Sequence, residues 1–95
     1  MPAYVIYEAA ITDPAQYEQY KTRAAASVAA AGGRYLARGG DVELFEGAQP
    51  ARVVILEFPT MDAATAWYRG EEYTEARALR AAACEARMFV VDGNI

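Results

Sequence analysis

Three stretches constrain this chain most. YVIY at Tyr4–Tyr7, RVVILEF at Arg52–Phe58 and MFVV at Met88–Val91 are largely apolar at odd and even positions alike. Side chains alternate between the two faces of a strand, so strands apolar on both parities must be covered on both faces. An antiparallel sheet that meets water on one side would show a polar face there. A chain of 95 residues has little with which to cover a second face, because it buries only roughly 60–65% of its unfolded surface. Yet 55% of its residues are hydrophobic, above the usual share. Two sheets packed face to face across a two-fold axis would use that surplus. A homodimer is the expectation.

The segments between the strands fit one domain over residues 1–95. AYVIYEAAI (Ala3–Ile11) is β-branched and aromatic and reads as the first strand. Asp13 is a good N-cap, and Pro14 stands at the first helical position, where its missing N–H costs nothing. Tyr17, Tyr20, Ala24, Val28 and Ala31 then recur in three- and four-residue steps as one apolar stripe. Gly32 closes that helix. RYLAR (34–38) resumes as strand, and Gly39-Gly40 interrupts it before DVELFE (41–46). The glycine pair reads either as a hairpin turn or as a bulge in one long bent strand. EGAQP (Glu46–Pro50) already reverses the chain before Arg52–Phe58, so the bent strand is preferred. Thr60 caps a short helix through Trp67 and Tyr68, Gly70 breaks it, and a second helical segment carries Glu71 and Glu72 in its first turn. ARMFVVDG (Ala86–Gly93) is the last strand. The order is βαββαβ, an α+β fold with helices on one face of an antiparallel sheet.

Absences narrow the chemistry. With no histidine, Ser-His-Asp and Cys-His nucleophile systems, imidazole metal sites and histidine-ligated haem are excluded. The Asp and Glu residues have no metal-loop spacing, and GGRYLARGG is no phosphate cradle. No cofactor or metal is expected. A net charge of −4 with scattered basic residues leaves no nucleic-acid footprint. No apolar run reaches membrane-spanning length, and no signal peptide is legible at the start. The lone Cys84, unable to form an internal disulfide, fits a cytoplasmic protein and reads as a small buried residue, not a nucleophile.

Two groups of residues are candidates for a site. On the third strand Arg52, Val54, Leu56 and Phe58 share one face, and Val53, Ile55 and Glu57 the other. With the bulkier set beneath the helices, Glu57 points between two sheets, where a carboxylate has to be paired or protonated. Arg38, beside the glycine pair, is its expected partner. The pair reads as a structural ion pair or a strand-end charge, or else as polar anchors in an apolar ligand cavity. Trp67, Tyr68 and Tyr73 read as core and rim packing, or as the roof of a pocket between helices and sheet edge. No residues assemble into a recognisable catalytic centre.

AYVIYEAAITDPAQYEQYK, GGRYLARGGDVELFEG, RVVILEFPT and AWYRGEEY…ALR resemble the bacterial family called domain of unknown function 1330, over about Tyr4 to Gly93. Residues typical of that family here include Tyr35, Arg38, Gly39, Gly40, Arg52, Glu57, Trp67, Tyr68, Tyr73 and Arg80. One departure is Gly70-Glu71-Glu72-Tyr73, where members often read Ser-Pro-Glu-Tyr. The resemblance implies a ferredoxin-like fold joined into a dimeric α+β barrel, with no settled activity. Similar barrels include cofactor-independent monooxygenases of aromatic polyketides and lactone isomerases. Two functions follow as expectations. One is a homodimeric protein binding a small hydrophobic ligand, with Tyr35, Arg38, Glu57, Trp67, Tyr68 and Tyr73 as candidate pocket residues. The alternative is a cofactor-independent monooxygenase or isomerase of an enolisable aromatic substrate, with Glu57 or a tyrosine moving the proton and Arg38 stabilising the enolate.

Overall fold

A computed structural model describes residues 1–94. Its elements are β1 (Ala3–Ile11), α1 (Pro14–Ala30), β2 (Arg34–Arg38), β3 (Arg52–Phe58), α2 (Met61–Arg69), α3 (Glu71–Arg80) and β4 (Cys84–Asp92). The four strands form one sheet in the order β2-β3-β1-β4, every neighbouring pair antiparallel. This is the expected α+β arrangement, with the second helical connection divided at Gly70 into α2 and α3.

Local chemistry fixes the helix ends. The Asp13 carboxylate accepts from the Gln16 N–H at 3.2 Å, and the Thr60 hydroxyl accepts from the Ala63 N–H at 3.0 Å, so each cap satisfies a donor the helix leaves open. α1 ends with the Gly33 N–H on the Val28 carbonyl and the Gly32 N–H on that of Ala29. This paired closure needs a left-handed residue, and Gly32 has φ +80°.

The region after β2 differs from the expectation. The chain leaves the sheet at Gly39, and residues 41–46 form no strand. The bulge lies earlier, at Leu36, where the β2–β3 register shifts between Tyr35 and Ala37. Gly39 (φ +70°) is instead the exit turn, its N–H still donating to the Val53 carbonyl, and Gly40 needs no positive φ. Beyond it Val42, Leu44 and Phe45 are exposed, Phe45 to 86%.

The core lies between sheet and helices. Ala3, Val5, Tyr7 and Ala9 of β1 and Val54, Leu56 and Phe58 of β3 meet Tyr17, Tyr20, Ala24 and Val28 of α1, with Trp67, Tyr73 and Ala76 from α2 and α3. The opposite face carries Tyr4, Ile6, Val53, Ile55, Phe89 and Val91, and no element among the described residues covers it.

Candidate functional site

Strand register decides which side chains can meet. Arg38 pairs with Val54, Val54 with Tyr7, and Tyr7 with Met88, so these four form one row across the helix-covered face. Simple alternation along β2 would put Arg38 on the same side as Arg34. The extra residue at Leu36 turns it over, as a bulge does, and Arg38 instead shares a side with Tyr35, its guanidinium 4.4 Å from that ring's centre.

This correction separates the expected pair. Arg38 lines the space between helices and sheet. Glu57 stands on the opposite face, opposite Arg34, whose Nε donates to the Glu57 carboxylate at 2.7 Å. Glu57 therefore has a surface ion-pair partner and lines none of the interior spaces described here.

Arg38 opens onto a cavity of about 20 Å³ bounded by Tyr7, Tyr17, Tyr20, Tyr35, Arg52 and Trp67. Its walls are tied together by hydrogen bonds and ring contacts. Tyr7 and Tyr17 share a hydroxyl–hydroxyl bond of 3.0 Å, and Tyr20 and Tyr73 one of 2.8 Å. The Trp67 indole donates to the Ser27 hydroxyl at 3.0 Å, and that hydroxyl donates to the Ala24 carbonyl at 2.7 Å. Trp67 also packs on Phe58 and Tyr73, with ring centres 5.2 and 4.2 Å apart.

Burial pushes the phenols of Tyr7, Tyr17, Tyr20 and Tyr35 above the ordinary value of 10.0, because a desolvated phenolate is disfavoured. Arg52 partly opposes the rise at Tyr17, and Arg80 at Tyr7 and Tyr20. These hydroxyls are hydrogen-bonding groups in their neutral form, not bases. Arg80 donates from Nη2 to the Tyr73 hydroxyl at 3.5 Å. Its guanidinium lies 5.2 Å from the Tyr7 ring centre and 5.6 Å from that of Tyr20.

A second space adjoins the first. A groove of about 180 Å³ runs between α2 and β4, walled mainly by Val5, Ala64, Trp67, Tyr68, Met88 and Val90. Trp67 and Met88 border both spaces. Tyr73 is fully buried and faces neither; it borders only a shallow cleft of about 450 Å³ beside Glu71 and Glu72. Of the six expected site residues, Tyr35, Arg38 and Trp67 come together, Tyr68 joins through the groove, Tyr73 supports from behind, and Glu57 is elsewhere. Tyr7, Tyr17, Tyr20 and Arg52 were not expected there. The clue for Arg52 was its parity with Val54, Leu56 and Phe58, which makes it a cation on a core-facing side.

The comparisons with known proteins agree with this architecture. The family described as "Domain of unknown function (DUF1330)" matches residues 2–94. No functionally curated protein matches the chain. Among solved structures, a protein of unknown function from Rhodopseudomonas palustris superposes with a TM-score of 0.78 at 19% identity, over 99% of this chain and 83% of that one. A dimeric ferredoxin-like protein of unknown function from Thermobifida fusca gives 0.69 at 22% identity, over 97% and 91%. SnoaB, a cofactor-independent oxygenase from Streptomyces nogalater, gives 0.66 at 12% identity, over 99% and 94%. At such identities the likeness is one of fold, which is ferredoxin-like, and not of activity.

Proposed function

The chain belongs to the DUF1330 family, and for it we propose a cytoplasmic bacterial homodimer, one α+β barrel domain per chain, that binds a small hydrophobic ligand in the groove between α2 and β4. The observation that carries this reading is the size and lining of that groove: about 180 Å³, walled by Val5, Ala64, Trp67, Tyr68, Met88 and Val90. An apolar cavity of about 150 Å³ is enough to take up benzene, so a single ring fits. Ligand pockets are largely apolar with a few polar groups that fix orientation, and the adjoining Tyr and Arg side chains supply those. The dimer rests on the uncovered apolar face of the sheet and on the dimeric relatives of the same fold.

The test uses indole as a neutral ring. Indole is expected to raise the melting temperature saturably, since whatever binds only the folded state stabilises it. Thr65→Trp, which fills the groove from α2, is expected to abolish that rise. No rise at millimolar indole, or an unchanged rise in Thr65→Trp, refutes the reading.

A second reading, a cofactor-independent oxygenase or isomerase of an enolisable aromatic compound, is favoured by Arg38 and Arg52 in the cavity wall, which suit an enolate. Its base cannot be Glu57, which faces the other side of the sheet, nor the phenols, whose ionisation burial suppresses. The substrate would have to enter already ionised.

A further inference from the structure

Positive charge on the covered face has no counterpart. Of the nine basic residues, Lys21, Arg23, Arg34 and Arg87 reach carboxylates at 3.0, 2.7, 2.7 and 3.6 Å. The other five, Arg38, Arg52, Arg69, Arg77 and Arg80, form no ion pair among the described residues, although the chain has thirteen carboxylates, and of these Arg38 and Arg52 line the cavity. The Nε atoms of Arg52 and Arg80 are buried and meet no acceptor. A guanidinium stays charged at any pH a protein tolerates, and a buried donor without an acceptor is costly. The surrounding phenols stay neutral and supply no balancing charge. An exposed Arg38 and a half-buried Arg52 on the wall of one cavity, both without a carboxylate, make a site suited to an anion.

We infer that the ligand of this site is a planar organic monoanion, a carboxylate or an enolate, whose charged head is held by Arg52 and Arg38 beside the Tyr7–Tyr17 hydroxyl pair while its apolar body occupies the α2–β4 groove. The inference rests on the ligand-binding reading above and names the ligand's chemistry. The cavity of about 20 Å³ has room for one water-sized group, which suits a head and excludes a ring. The groove has room for the ring. Met88, directly opposite Tyr7 in the sheet, lines both spaces with Trp67, and its unbranched thioether adapts readily to a body lying across it. Gly39 leaves room for the cation: a Cβ there would strike the Arg52 guanidinium. A planar two-oxygen head matches the guanidinium fork, which takes such groups bidentately.

Calorimetric titration of the protein as isolated, at fixed ionic strength, tests this with benzoate, its neutral isostere benzamide, and the acidic enol 2-hydroxy-1,4-naphthoquinone. Benzoate or the enolate is expected to bind at least about tenfold more tightly than benzamide, the scale of a hydrogen bond to a charged group. Which of the two anions binds more tightly identifies the head. Arg52→Met should weaken anion binding by about ten- to a hundredfold. Arg38→Met, at an exposed position, should weaken it by at least about fivefold and leave benzamide unaffected. Equal binding of benzamide and both anions overturns the charge inference and leaves the groove reading standing. Binding of neither these nor indole overturns both. One rival is a carboxylate of the second copy, from the acidic stretch carrying Glu43 and Glu46. If the Glu43→Gln/Glu46→Gln double variant loses as much melting temperature as Arg52→Met and the anions do not bind, the cations serve the dimer and the proposal falls.

Discussion

The two faces of this sheet have opposite deficits. On the helix-covered face Val5, Tyr7, Val54, Leu56 and Phe58 are at most 6% exposed, whereas on the other face Phe89 and Val91 remain 42% and 48% exposed. Charge runs the other way. Arg34 pairs with Glu57 and Arg87 with Glu8 on the uncovered face, while Arg38 and Arg52 on the covered one have no carboxylate. One face is balanced in charge and lacks an apolar cover; the other is covered and lacks an anion. If a second sheet meets the first deficit and a small molecule the second, assembly and binding are separable in this fold.

The largest expected effect breaks the uncovered face. Ile55→Asp puts a carboxylate among Ile6, Val53 and Phe89, pointing away from the helices. If that face is the dimer interface, folding and assembly should be lost together, because an obligate dimer has no separate monomer stability. Sedimentation equilibrium and far-UV circular dichroism at micromolar concentration read both. A wild type sedimenting at one chain mass, with Ile55→Asp within about 0.5 kcal/mol of it, would return the face to ordinary surface.

The next effect comes from the covered face and appears with pH. Tyr7, Tyr17, Tyr20 and Tyr35 have pKa values raised by burial above 10.0. Unfolded phenols ionise near pH 10 and the folded ones resist, so above that pH the unfolded state binds fewer protons and is favoured. Stability is therefore intact below pH 10 and falls as pH rises toward the folded values, by up to about 1.4 kcal/mol per pH unit for each such tyrosine. Tyrosinate absorbance should appear in one cooperative step with the loss of circular dichroism. A gradual titration of these phenols in a folded protein would mean that the covered face is wetter than its packing indicates.

The same comparison accounts for what could be read in the residues beforehand. Parity placed Arg52 with Val54, Leu56 and Phe58 correctly, because β3 is a central strand with regular pleat on both edges. The stripe of Tyr17, Tyr20, Ala24 and Val28 and the caps Asp13 and Thr60 were equally legible, since they depend on local spacing and hydrogen bonding. Arg38 was not. A bulge is a property of two strands, and nothing in RYLAR marks Leu36 as the unpaired residue; the glycines drew the irregularity three residues too far along, to Gly39. The resulting error in parity joined Arg38 to Glu57. The stretch 41–46 alternates like a strand, but strands need a neighbour, and the chain offers it none.

A smaller effect separates the two glycines. Gly39 has φ +70°, and Gly40 does not need positive φ and has open space where a Cβ would go. Gly39→Ala should cost about 1–2 kcal/mol, the penalty of a left-handed L-residue, and should weaken benzoate binding by displacing Arg52. Gly40→Ala should be neutral or slightly stabilising, since it narrows the unfolded ensemble. Equal losses at both positions in urea unfolding would show that the turn is set by the pair and not by Gly39.

The smallest expected effect belongs to Glu57, and it tests whether the two faces are independent. Its partner Arg34 has a side chain 71% exposed, and exposed ion pairs contribute about 0–1 kcal/mol. Glu57→Gln keeps the shape and one acceptor oxygen toward the Arg34 Nε, so the melting temperature should shift little. Benzoate affinity should not change, because the sheet itself lies between Glu57 and the cavity wall formed by Arg38 and Arg52. Ile55→Asp and Glu57→Gln thus probe one face at neighbouring positions with opposite expected outcomes, collapse and near silence. Were Glu57→Gln to alter benzoate binding while the dimer stayed intact, the carboxylate would have to reach a ligand from the uncovered face, and the division of labour between the faces would be wrong.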